Sequence, residues 1–254
     1  MKKYLLIVGF VLLSVSCATK KQITYLQDID TYQNTELGKT NITIQPKDIL
    51  KITVSTLIPE AAIPYNIINP ANTMISNDIG VMKIEGYVVS DLGLITFPVL
   101  GEISIKGKTT KQIETALKET LVAGGHLKNP TVSVRLLNAK FTVLGEVNKP
   151  GTFSFIDEQL NVLQALGFAG DLTITGKRED ILLIREADGI RTITHIDLTS
   201  ANWLTSDAYY IKPNDVLVVN PNTKKVKSSG MFGDTSTIFG VASLIISITI
   251  LLAR

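Results

Sequence analysis

Cysteine is all but missing from this chain. Cys17 is the only one in 254 residues, so no disulfide can form within it, and its core must hold the fold together. Histidine is almost as scarce. His126 and His195 each stand without a neighbouring Cys or His, which excludes the usual local zinc spacings. No Gly-x-Ser-x-Gly elbow occurs. Charge of one sign is not in excess: 25 Lys+Arg stand against 23 Asp+Glu, and no basic patch invites nucleic acid. Asp91, Glu102, Asp157 and Asp180 are scattered at turns and strand ends and show no carboxylate pair of the glycosidase kind. With no nucleophile, base or metal set to assign, the expectation is a protein that is not an enzyme and takes no cofactor. Gly101 to Thr109 imitates a phosphate-binding loop, but five residues separate Gly101 from Gly107 where that loop needs four. The alternation of Ile103 and Ile105 suits a strand instead.

Long apolar runs are absent from the body and present at both ends. Lys2 and Lys3 precede the apolar stretch Tyr4–Leu13, an export signal too short to span a bilayer. Ser14-Val15-Ser16-Cys17 follows and resembles a bacterial lipobox, with Ser14 where Leu is usual. Lipid attachment at Cys17 is expected after removal of residues 1–16. The alternative is an ordinary signal with an incidental cysteine. Cleavage takes two lysines from the 25 basic residues and leaves 23 of each sign, a neutral mature chain. Ala18, non-acidic, points by analogy with lipoprotein sorting to the outer membrane, with a mainly periplasmic soluble body. At the other end Thr235–Ala253 carries no charge, and Arg254 follows.

The expected fold class is α+β. Residues 17–41 are polar and unpatterned and read as a tether. From 42 to 137, Leu50/Ile52/Val54, Tyr87–Val89, Leu94–Phe97 and Thr131–Leu136 read as strands, and residues 58–77 as a loop. Thr109–Leu121 reads as a helix, with Thr109 as N-cap, Gln112 at the capping-box position and Gly124-Gly125 at its end. From 139 to 196, Phe141–Val147 and Thr152–Phe155 form a hairpin around Lys149-Pro150-Gly151. Leu160–Phe168 reads as helical, and Asp180–Arg185 and Arg191–Ile196 as strands about the Asp188-Gly189 turn. Residues 197–234 supply a return strand and a linker. A short echo joins the blocks: Ile44-x-Pro46-x-Asp48-Ile-Leu recurs as Ile211-x-Pro213-x-Asp215-Val-Leu. It is either coincidence or a shared way of entering a sheet.

Pro46-x-Asp48-Ile-Leu, Asp91-x-Gly93-x-Ile-x-x-Pro98-x-x-Gly101, Gly107-x-Thr109 and Pro130-x-Val132-x-Val134 together resemble the polysaccharide export domain of Wza-like outer-membrane lipoproteins. Val143-x-Gly145-x-Val147-x-x-Pro150-Gly151, with the helix and strand after it, resembles a soluble-ligand-binding β-grasp (SLBB) domain. The resemblance implies a periplasmic α/β export domain, one β-grasp domain and a C-terminal transmembrane helix. It also implies a ring homo-oligomer, an octamer by family expectation, that conducts capsular or exopolysaccharide across the outer membrane. The implied partner is an inner-membrane polysaccharide co-polymerase or tyrosine autokinase, and no nucleic acid. Two other readings stay open: a lipoprotein whose β-grasp domain captures a soluble ligand, and a scaffold held in the inner membrane by its apolar helix.

As a helix, residues 235–253 would be about 28 Å long, enough to cross a bilayer. Ser236, Gly240, Ser243, Ser247, Ile250 and Arg254 recur at spacings of 4, 3, 4, 3 and 4 and share one face. All but Ile250 are small or polar. That face is expected to meet neighbouring helices or a wet lumen, with Ile238, Ile245, Ile248 and Leu252 toward lipid. A plain anchor is the competing reading.

Overall fold

The computed structural model describes residues 23–31, 42–67, 86–157, 159–187, 189–223, 239–240, 243–244 and 247. They form two hydrophobic cores, and Leu136 packs against both.

The first core is built on β1 (Ile49–Ser55), whose even-numbered side chains Leu50, Ile52 and Val54 are buried while the odd ones face outward. A short helix α1 (Pro59–Ala62) and a 3-10 turn (Ile63–Tyr65) follow. The start of the expected loop at 58–77 is therefore helical. Its apolar Ala62 and Tyr65 are buried, and the Asn66 amide bonds both the N–H and the C=O of Val54. Residues 68–77 of that loop lie outside the described residues. Next come β2 (Tyr87–Val88) and the hairpin β3 (Leu94–Phe97) and β4 (Gly101–Ser104). Helix α2 (Thr110–Ala123) and β5 (Thr131–Leu136) complete the domain. Thr109 caps α2 in a reciprocal box with Gln112, and Ile113, Leu117 and Leu121 form its buried stripe. The sheet order is β2-β1-β5, all antiparallel.

The second core starts at β6 (Lys140–Gly145), turns through Pro150 and returns as β7 (Gly151–Ser154). Helix α3 (Val162–Phe168) has its own box, Asn161 with Gln164, so Leu160 precedes the helix. Strand β8 (Gly176–Ala187) is longer than Asp180–Arg185 and pairs with β9 (Ile190–Ile196) in unbroken register. The last strand, β10 (Val216–Pro221), inserts into the middle of the sheet, parallel to β6 and antiparallel to β8. The order is β7-β6-β10-β8-β9, and the folded unit continues well past residue 196.

Residues 23–31 differ from the tether read in the sequence. They are docked, and on the second domain. Leu26 and Gln27 donate their N–H groups to Leu198 and Thr199, and Asp28 Oδ1 accepts from Ala201 N at 2.7 Å. The Tyr25 hydroxyl donates to Asp171 at 2.5 Å, and its ring lies 5.3 Å beneath the guanidinium of buried Arg178. Burial, then the bond to Asp171, pushes the Tyr25 phenol well above its ordinary pKa, which keeps it a donor. The rest of the tether, the signal segment and Cys17 lie outside the described residues.

Gly145 ends β6 at φ +90°, and a Cβ there would stand 2.0 Å from the Val219 carbonyl oxygen. Only glycine lets β10 close on β6 at this point. Gly145→Ala is expected to destabilise the second domain by about 3 kcal/mol. Trp203, the sole tryptophan and part of that core, reports the shift in a urea titration.

Candidate functional site: the joint between the domains

The echo in the sequence becomes a repeated turn in space. In each copy the residue before the aspartate takes a left-handed conformation, Lys47 at φ +72° and Asn214 at φ +68°. Each aspartate folds back to accept the N–H three residues earlier, Gln45 to Asp48 Oδ2 at 2.9 Å and Lys212 to Asp215 Oδ2 at 2.7 Å. Ile44 and Ile211 are buried completely, and both aspartates are nearly so. The proline between them cannot donate, and sits where no donor is required.

The two turns grip the linker from opposite sides. Asn138 accepts from Ile49 N at 2.9 Å and donates to Lys47 O at 3.0 Å. Two residues on, Lys140 O accepts from Asn214 N at 2.7 Å. The Asp215 carbonyl then takes Thr142 N, starting the β6–β10 ladder.

The two aspartates differ in charge compensation. Arg185 meets Asp215 in a fork, Nε to Oδ1 at 2.9 Å and Nη2 to Oδ2 at 2.7 Å. Its remaining bonds go to the carbonyls of Asp207 and Tyr210. Asp48 forms no ion pair among the described residues. Burial therefore raises its carboxyl pKa, partly offset by the Gln45 amide. A cleft of about 970 Å³ opens between the turns, with Lys47, Lys212, Arg191 and Glu186 on its walls.

The other motif residues shape turns. Gly93 (φ +75°) lets Lys106 cross it, since a Cβ would lie 2.4 Å from the lysine's. Pro98 and Gly101 bound the β3–β4 turn, Gly107 precedes the α2 cap, and Pro150 and Gly151 open β7. Of the motif residues, Pro46 and Asp48 line the cleft together. His126 stacks edge-on against Tyr65, and His195 bonds Asp180. His195 and then Lys177 hold the Asp180 carboxyl below its ordinary pKa. Among the described residues no group of three His, Cys, Asp or Glu side chains could hold a metal ion.

Ser236 and Arg254 of the C-terminal face lie outside the described residues, as does most of 235–253. Gly240, Ser243 and Ser247 are described, helical and exposed. Ser243 donates to Gly240 O and Ser247 to Ser243 O, both at 2.8 Å. Among the described residues no helix is long and apolar enough to cross a membrane.

Asn138, Arg185 and the Tyr25 clip were not singled out in the sequence. The Asn161 box was legible from its spacing to Gln164. Arg185 lies 30 residues from Asp215 and carries no local signal.

Two α+β domains in tandem, joined by a linker pinned between two matching turns, define a modular two-domain protein. Residues 38–137 match the family model described as polysaccharide biosynthesis/export protein, and residues 140–193 match the SLBB domain. The chain carries these two domains in the order that the sequence resemblance to Wza-like polysaccharide export proteins implies. It is similar to two proteins named EPS I polysaccharide export outer membrane protein EpsA. The one from Ralstonia nicotianae is 32% identical over 165 residues, covering 61% of this chain and 42% of that protein. The one from Ralstonia solanacearum is 34% identical over 104 residues, covering 40% of this chain and 27% of that protein. The chain thus spans less than half the length of either relative it matches.

Removing the Asp215 charge strands Arg185 in a buried site. Asp215→Asn is expected to cost about 3–5 kcal/mol, read by Trp203 fluorescence in urea. Asp48→Asn should behave oppositely. With its folded pKa raised, Asp48 contributes stability that is full below its unfolded pKa of about 3.9 and lost as pH rises through the folded value. The stability of Asp48→Asn relative to the parent should therefore grow between about pH 4 and about pH 7. Amide exchange along β1 measures it, and a difference that shrinks with pH would refute the assignment.

Proposed function

We propose that this chain is a lipid-anchored subunit of an outer-membrane ring channel that exports capsular or exopolysaccharide. The observation that carries the reading is that both ends of the chain leave from the second domain. Residues 24–28 are clipped to it, and β10 is a central strand of its sheet. Cys17 lies eight positions before Tyr25, a reach of at most about 28 Å. A lipid on Cys17 and a membrane helix at 235–253 would therefore hold the same domain against the same bilayer. The export domain would extend into the periplasm, toward an inner-membrane co-polymerase or tyrosine autokinase.

The helix face at Ser236, Gly240, Ser243, Ser247 and Arg254 would pack against neighbouring helices or line the lumen. The hydroxyls of Ser243 and Ser247 are already satisfied within their own helix. That makes the face tolerable in a dry helix contact as well as in water.

Electron microscopy of detergent-purified particles is expected to show rings with a central opening, and fractionation to place them in the outer membrane. Monomers, or recovery only with inner membranes, would sink the channel. Aqueous thiol reagents should modify Gly240→Cys, Ser243→Cys and Ser247→Cys faster than Ile245→Cys and Ile248→Cys. Equal rates rule out a lumenal face. Crosslinks between copies at the first three positions would then assign it to helix packing.

A further inference from the structure

Among the described residues the sheet of the second domain has two unpaired edges, β7 and β9, and they differ in kind. Strand β7 is four residues long and follows Pro150. Strand β9 is seven residues long, and all of it except Ile196 is exposed. Its sequence Ile-Arg-Thr-Ile-Thr-His-Ile is rich in β-branched residues and has no proline, lysine or bulge. Soluble proteins guard such edges, because their free N–H and C=O groups recruit other strands. Here the two charged side chains do not guard it. Arg191 is turned back onto Glu186 and His195 onto Asp180, both partners within β8.

The face beside this edge is only partly covered among the described residues. Phe141, Val143, Leu217, Val219, Ile181 and Leu183 fill the inner side of the sheet. On the outer side, the register lines up Leu144, Val218 and Leu182 in one row, and Val216, Ile184 and Ile193 in the next. Leu144 and Ile193 are 44% and 58% exposed. The second row runs out to the β9 edge and stops there with no partner among the described residues.

Strand directions say what can continue it. Strands β6, β10 and β9 point one way, and β7 points the other. A second copy placed in the same orientation would bring its β7 to β9 antiparallel, the stronger ladder. The outer faces of the two sheets would stay continuous. A contact that uses two different edges is heterologous, the kind that closes a ring.

We infer that β9 of one copy pairs with β7 of the next, so that the second domains of an assembly share a continuous sheet. The inference rests on the ring reading above and specifies its contact. The pairing hydrogen bonds give it direction, and the apolar rows give it area.

The test is disulfide crosslinking of the full chain in its own membranes. Thr152→Cys on β7 is combined in turn with Ile193→Cys and His195→Cys on the matching face of β9. Oxidation is expected to give a ladder of dimers, trimers and larger species, with monomers only from each single variant and from the parent. Rings seen by microscopy without any ladder would overturn the pairing and leave the ring reading intact. Ile193→Cys alone giving dimers and nothing larger would show a twofold β9–β9 contact, and would overturn it too. Monomers in mild detergent would overturn both. As a check that needs no cysteine, Ile193→Lys keeps the β8 ladder and places a charge at the edge. Rings should be lost to monomers while the Trp203 urea midpoint stays put; rings that persist would refute the contact.

Discussion

Asp215 carries three obligations at once, two through its carboxylate and the third through its main-chain carbonyl. It closes a tight turn by accepting Lys212 N, it neutralises a buried guanidinium, and it fixes where β10 enters the sheet. The Arg185 fork in turn holds the carbonyls of Asp207 and Tyr210, so the segment before β10 is tied down by the same pair. The pair sets the start of a register that the main-chain ladders to β6 and β8 then carry along β10. A buried pair of this kind adds little net stability over an apolar equivalent, but removing one member leaves the other charged and dry. Its contribution here is to position.

The first domain repeats the turn without the counter-ion. Asp48 keeps the backbone bond and the left-handed residue before it, and loses the arginine. Its neighbour Ile49 is held instead by Asn138, a neutral side chain supplied by the linker. The joint is therefore asymmetric: one turn is locked by charge, and the other by an amide that belongs to neither sheet. That amide also donates to the Lys47 carbonyl, and two residues on the Lys140 carbonyl accepts from Asn214 of the second turn.

Much of this was legible in the sequence. Period-two burial marked β1 and β5, the Thr109 and Gln112 spacing marked the start of α2, and the recurrence of Ile-x-Pro-x-Asp marked both turns. What stayed hidden has a common cause, contact between residues distant in the chain. Arg185 reads as an ordinary strand-end cation until β10 brings Asp215 to it. Tyr25 sits in a stretch with no periodicity, because a clip of a few residues needs partners and no pattern. Residues 58–65 read as loop because their prolines break the helical period, yet a proline at the first helical turn costs nothing.

Two apolar cores fill the domains, and directional polar bonds line the turns on either side of the linker. Apolar packing alone tolerates small rotations, because its energy varies slowly with angle. Hydrogen bonds and forked ion pairs do not, since they weaken steeply off axis. A head-to-tail assembly closes only when every copy repeats the same angle; an error at one joint recurs at each. Asn138 on the first turn and the Asp215–Arg185 pair on the second thus give each side of the linker the fixed geometry that such an assembly would demand of its subunit. The Arg185–Asp215 fork lies beside the linker, where its directionality fixes the turn that feeds β10.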